Sequence, residues 1–303
     1  MSNKSAVMEC FTGLSIGPDG HNRCLLSIFQ TVTGRNAPSP SQFIFGPARW
    51  MRGLIKPAIG YALAYIDWSA QEIAIAAALS GDDRMIAGYQ SGDPYMAFAR
   101  DAGLVPADAT KDSHAETRDT CKTIVLGINY GMGPDSMALR AGITRAEARS
   151  LLGLHRDAYK QFWRWAEDTV TNALFRGEMQ TQFGWRRLIM PNPNARSMQN
   201  WPVQSCGAEM MRAAAIAATE ADISICAPVH DAFLIMAPLD RLDADIAAMR
   251  AIMSAAGTAI IGIPVRTDAK VILPPARYMD VRGEKTWTKI IGLLQAAEIR
   301  AAA

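Results

Sequence analysis

Two carboxylates stand out by position. Asp67 closes an apolar run, Tyr61 to Ile66, and Asp231 lies between two apolar runs in ISICAPVHDAFLIMA, residues 223–237. An acid delivered at the end of a buried strand is held rigidly, as a metal ligand must be. Either acid alone reads equally well as a solvated side chain at a strand end. A third carboxylate, Glu72, follows in DWSAQE. A cationic group is added by Arg118, Lys122, Leu126 and Tyr130, which recur every fourth residue. Each step of four advances about 40° around a helix, so the four form a slowly winding stripe. Two cations, an apolar group and an aromatic suit a triphosphate at one end and a base at the other. The same stripe also fits an ordinary solvated helix face.

Together, two carboxylates on separate strands and a helix with two cations suit two-metal phosphoryl or nucleotidyl transfer. Magnesium is a hard ion that takes oxygen ligands and keeps water. Two such ions, roughly 3.5–4 Å apart, activate the attacking oxygen and steady the leaving one. The cations then neutralise charge on a departing pyrophosphate. The acids without the stripe fit a metal-dependent nuclease as well.

Further candidates are weaker on spacing. Arg35 follows Gly34, a residue that lets backbone approach a ligand closely; a surface turn is the alternative. Asn200 and Gln204 lie one turn apart on a helix that contains Arg196, and buried amides need partners, which a base edge or sugar can supply. His230 precedes Asp231.

The elements that must position these residues are partly legible. Residues 1–60 are rich in Gly, Pro, Ser and Asn; short strands are expected at Cys24–Phe29 and Phe43–Phe45, and Pro38 and Pro40 forbid a helix. A strand should run to Asp67 and a helix to about Leu79. Gly81, Asp82 and Asp83 break it, and Asp93 and Pro94 open a short helix from Tyr95 to Ala102. Ser113 and Glu116 have capping-box spacing for a helix to about Tyr130. Thr144 and Glu147 have the same spacing, for a helix running to about Phe175 with Leu151, Phe162, Trp163 and Trp165 in the core. Residues 178–190 read as a hairpin whose Arg186 and Arg187 meet phosphates or solvent. A helix over Arg196–Thr219 should have an irregular first turn at Pro202. Residues 223–237 read as a β-hairpin with an acid at its tip. Asp240 should cap a helix to about Ala256, Ile263–Leu273 should close the sheet, and the tail from Arg282 is amphipathic.

Composition narrows the class. The chain has 303 residues, half of them apolar, enough for a sizeable core and more than one lobe. A net charge of +2 leaves any polyanion to local basic clusters. Five cysteines, Cys10, Cys24, Cys121, Cys206 and Cys226, lack CxxC spacing, which argues against a disulfide framework or zinc site and fits a reducing cytoplasm. No apolar run reaches the roughly 18 residues that span a bilayer, and there is no signal-peptide pattern, so no membrane partner is expected.

From about Thr33 to Lys270 the chain resembles the family A DNA polymerases, the bacterial DNA polymerase I group. That family's D-Y-S-x-x-E strand stands here as Asp67 to Glu72. Its R-x3-K-x3-F/Y-x3-Y-G helix stands as Arg118, Lys122, Leu126, Tyr130 and Gly131, and its V-H-D-E as Val229, His230, Asp231 and Ala232. The T-G-R element is Thr33, Gly34 and Arg35, and the R-x3-N-x3-Q helix is Arg196, Asn200 and Gln204. Five motifs in order are highly specific.

The resemblance implies an α+β fold, with a palm of antiparallel sheet and helices over residues 1–85 and 191–303, and helical fingers over 86–190. It implies template-directed DNA synthesis from dNTPs on a primer–template, in a phage-, prophage- or plasmid-type member. Asp67 and Asp231 would bind two magnesium ions, with manganese as a substitute. Arg118 and Lys122 would hold the triphosphate, Tyr130 would sit beside the template base, and Glu72 would reject a 2′-hydroxyl. Arg35, Arg196, Asn200 and Gln204 would line the duplex, and His230 would approach the primer terminus.

The chain departs from the family at Leu126, where an aromatic normally stacks near the sugar, at Ala232, where an acid follows the catalytic Asp, and mildly at Trp68. Only 32 residues precede Thr33, too few for the family's thumb or exonuclease-like domain. Both are therefore expected to be absent, with a separate thumb/exonuclease polypeptide as partner. The alternative function is a weak or inactive primer–template-binding remnant.

Overall fold

A computed structural model describes residue 14 and residues 16–39, 42–46 and 48–302. Cys10 and Pro40 lie outside the described residues; Cys24, Cys121, Cys206 and Cys226 are free.

In chain order, β1 (Leu26–Ser27) pairs antiparallel with β2 (Ala37–Pro38). The expected second strand, Phe43–Phe45, is instead a run of turns whose Phe43 and Phe45 rings are buried. Apolar burial there is served by two aromatic rings without any ladder. A 3-10 helix, Arg49–Leu54, precedes β3 (Tyr61–Trp68). Then come α1 (Gln71–Ser80), α2 (Asp83–Gln90) and α3 (Pro94–Asp101). Asp82, expected only to break a helix, caps α2 through Met85 N–H at 3.1 Å, and its other oxygen accepts from Phe162 N–H at 3.1 Å.

Next, α4 (Ala115–Asn129) starts at His114 without a side-chain cap. Ser113 does not form the expected capping box, because its hydroxyl pairs with Thr110. After α5 (Pro134–Ala141), Thr144 and Glu147 do form theirs, opening α6 (Arg145–Ala158). The single long helix expected to follow is broken at Tyr159 (φ −120°), and α7 runs over Lys160–Arg176. Phe162 and Leu151 are buried and the two tryptophans half-buried. The hairpin of β4 (Glu178–Gln180) and β5 (Arg186–Leu188) forms as expected. Its arginines have protein partners, Arg186 with Glu178 and Arg187 with the Ser197 carbonyl, both at 2.9 Å.

Pro202 lies well inside α8 (Ala195–Glu220), not in an irregular first turn. The helix therefore forgoes one backbone hydrogen bond in its interior. The second hairpin, β6 (Ser224–Val229) and β7 (Ala232–Pro238), turns at His230 and Asp231. The next helix, α9 (Leu242–Ile261), extends beyond the expected end at Ala256. It is the one helix among the described residues long and apolar enough to cross a membrane, but Met249 and Met253 are fully buried, as in a core helix. Last are β8 (Thr267–Ile272) and α10 (Val281–Ala302).

The chain divides into two compact units: residues 1–67, 215–252 and 267–303, and residues 68–214 with 253–266. The first is built on a four-stranded sheet ordered β6-β7-β3-β8, with β6–β7 and β7–β3 antiparallel. Side chains alternate across a strand. Along β3, Leu63 joins Phe43, Phe45, Leu234 and Tyr278 in one cluster, and Tyr65 packs against it. Ala62 on the other face joins Ala237 and Leu242. Asp67 continues the Leu63 and Tyr65 face. The second unit is helical, apart from β4 and β5.

Candidate active site

In the first unit, β3 and β7 set the carboxylates. Their register pairs Asp67 with Ala232, the residue after Asp231. The end of β3 therefore lies beside the tip of the β6–β7 hairpin, and the sheet brings both acids to one end. The tip is tight: His230 adopts φ 56°, a left-handed conformation uncommon for a residue with a side chain.

Burial raises the Asp67 carboxyl to about 6, and the nearby charges of Asp231 and Asp268 push the same way. Asp268 stands near the start of β8, the other neighbour of β3. Nothing in the spacing of the sequence marked it. Although its charge is felt at Asp67, no three His, Cys, Asp or Glu side chains gather into a cation cage among the described residues. Two mutually repelling carboxylates without a closed cage fit a hard divalent ion such as magnesium. That ion commonly takes one or two carboxylates and fills its shell with water and substrate phosphates.

Arg35, also in the first unit, ends a turn in which its N–H donates to Thr31 Oγ1 at 2.8 Å. Gly34 in that turn has φ 72°.

The second unit holds the other candidates. Arg118, Lys122 and Leu126 lie on the less buried side of α4, opposite buried Cys121, Ile124, Val125 and Ile128. Tyr130 caps the helix and is 46% exposed. Its hydroxyl donates to Glu72 Oε1 at 2.6 Å, and Gln204 Nε2 donates to the same oxygen at 2.5 Å. Glu72, Tyr130 and Gln204 thus form one network from α1, α4 and α8. Asn200 Oδ1 is buried without a hydrogen-bond partner among the described residues.

The base of α8 reaches α4 at Gly131. That residue has φ +63°, which strains any residue with a side chain, and a Cβ there would also come within a tight 3.0 Å of the Arg196 Cβ.

Arg118 is held by Asp93, its Nε donating to Oδ2 at 2.5 Å. The sequence marked Asp93 only as a helix start; a pairing across 25 positions leaves no local signal.

The sequence model described as DNA polymerase family A matches residues 36–272. The chain belongs to DNA polymerase family A. The match covers four of the five motifs, with Thr33–Arg35 just ahead of it. The thermostable DNA polymerase I of Thermus thermophilus is 28% identical over 70% of the chain. The DNA polymerase of Mycobacterium phage D29 is 30% identical over 60% of the chain. The chain spans 28% of the Thermus relative and 30% of the phage one. Among solved structures, the POL domain of Pol1 from M. smegmatis, in complex with DNA primer-template and dNTP, superposes with a TM-score of 0.77 at 23% identity, over 89% of this chain and 50% of that one. The mixed α+β architecture is thus a polymerase fold. Within family A, the Ala232 departure acquires a location: it is the fully buried ladder partner of Asp67.

Proposed function

We propose that the chain is a DNA-directed DNA polymerase, a nucleotidyltransferase that extends a primer 3′ end on a DNA template from dNTPs, in the cytoplasm. The observation that carries the reading is the delivery of Asp67 and Asp231 to one end of a single sheet, in a chain of family A. We assign residues 1–85 and 191–303 to the palm and 86–190 to the fingers.

In this reading Asp67 and Asp231 hold two magnesium ions, or manganese in their place. The ions, when bound, supply Lewis-acid activation of the primer hydroxyl and charge stabilisation on the leaving pyrophosphate. Asp67 must be ionised to serve. Arg118 and Lys122 bind the triphosphate and favour the charge that develops on the leaving group. Glu72, kept in place by Tyr130 and Gln204, fills the space that a ribose 2′-hydroxyl would need, and Tyr130 borders the template base. Arg35, Arg196, Asn200 and Gln204 follow the duplex, and His230 meets the primer end.

A second reading, favoured by Ala232 and Leu126, is a weak or inactive primer–template-binding subunit that works with a separate thumb/exonuclease polypeptide. A primer-extension assay with magnesium and four dNTPs separates the two. Extension by one or more templated nucleotides supports the polymerase. Duplex binding without extension supports the subunit, and primer shortening points to a nuclease.

A further inference from the structure

The cations expected to meet the triphosphate are not loose on the helix surface. Arg118 Cζ lies 5.4 Å and Lys122 Nζ 5.7 Å from the centre of one ring, that of Tyr95. Both are within the roughly 6 Å over which a cation is attracted to an aromatic face. The ring is itself fixed, being 7% exposed and placed in the first turn of α3.

Asp93, the N-cap of that helix, divides its two oxygens. Oδ1 accepts from Tyr95 N–H at 3.1 Å and Met96 N–H at 3.2 Å, while Oδ2 accepts from Arg118 Nε at 2.5 Å. One carboxylate therefore sets the start of α3, the position of the Tyr95 ring, and the Nε corner of the guanidinium. Arg118 Nη1 lies 3.5 Å from the exposed Asp119. Arg and Lys side chains lose much rotamer freedom on binding. Restraining them beforehand strengthens binding without adding a contact to the ligand.

We infer that Asp93 and Tyr95 are positioning residues for nucleotide binding: the ion pair and the shared ring hold Arg118 and Lys122 ready for the polyphosphate of an incoming dNTP. The inference rests on the proposed role of Arg118 and Lys122.

The test is an equilibrium titration of the full chain with the fluorescent nucleotide mant-dATP and magnesium, with mant-deoxyadenosine as the phosphate-free control. Asp93→Asn retains an oxygen for the helix cap and removes the charge. Tyr95→Leu removes the ring, and Tyr95→Phe keeps it. Asp93→Asn and Tyr95→Leu should weaken mant-dATP binding about tenfold, the scale of one lost ion pair or cation–π contact, while Tyr95→Phe stays within about twofold. Binding of mant-deoxyadenosine should be unchanged throughout. In primer extension, the KM for dATP should rise in the two disruptive variants with a smaller change in kcat.

Equal loss for nucleoside and nucleotide would mark a merely structural role and overturn the inference. So would unaltered mant-dATP binding in Asp93→Asn and Tyr95→Leu, a Tyr95→Phe as weak as Tyr95→Leu, or a wild-type chain that binds no mant-dATP. If extension proceeds with unaltered KM in these variants, the inference fails and the polymerase reading stands. If the predicted binding pattern appears without extension, the polymerase reading fails and the inference stands.

Discussion

The Tyr130 hydroxyl donates to Glu72 Oε1 at 2.6 Å, tying the C-terminal cap of α4 to the first turn of α1. Gln204 reaches the same oxygen from α8. A carboxylate gripped by two donors has one position, and a steric gate depends on that. Glu72→Ala should raise ribonucleotide incorporation relative to deoxynucleotide by roughly tenfold or more, the scale of one excluded group. Tyr130→Phe should raise it less, because Gln204 still holds the acid. The ratio of the two kcat/KM values measures both, and an unchanged ratio in Glu72→Ala removes the gate from Glu72.

Asp67 yields a stability prediction that needs no metal. Its carboxyl sits at about 6, against 3.8 for an unperturbed aspartate. Between those values the folded chain binds a proton that the unfolded chain has released. Wild-type stability therefore falls as pH rises through this window, and the cost is fully present above about pH 6. In chelator, Asp67→Asn should gain on wild type as pH rises through that range and hold a constant advantage above it. Denaturant titrations across the range check this, and a difference independent of pH would show that Asp67 is not perturbed.

His155 works in the opposite sense. It is fully buried, its Nδ1 accepts from Trp163 Nε1 at 3.1 Å, and burial pushes it down to about 3. The folded chain keeps it neutral while the unfolded chain protonates it below about pH 6.5. Its contribution is present above that value and is lost as pH falls toward 3. His155→Phe should flatten the acid side of the stability profile. Parallel profiles for variant and wild type would contradict the assignment.

What was legible in the sequence was what local chemistry decides. The strand ending at Asp67, the hairpin carrying Asp231 and the Thr144–Glu147 box rest on neighbours a few positions apart, and all three formed. The failures lie where distant partners intervened. Ser113 is the exception: it had the spacing of a cap, but a competing local partner three residues back, Thr110, took its hydroxyl. Asp82 looked like a breaker, yet one oxygen caps α2 and the other accepts from the first turn of α7. Phe43 and Phe45 read as a strand, but form none and are instead buried in a cluster with residues of β3 and β7 and with Tyr278. At the candidate site, the stripe on α4 was visible from its period of four. Its supports, Asp93 and Tyr95, were not, because tertiary packing alone places them against it.

The central claim is that Asp67 and Asp231 are the acids of a two-metal nucleotidyl transfer. The direct measurement is single-nucleotide primer extension with magnesium by wild type, Asp67→Ala and Asp231→Ala, alongside duplex binding by the same proteins. Each variant should lose several kcal/mol of transition-state stabilisation, roughly a thousandfold in rate. Each should keep its affinity for duplex, which comes from groups that meet phosphates. Extension by either variant at a near wild-type rate would contradict the claim.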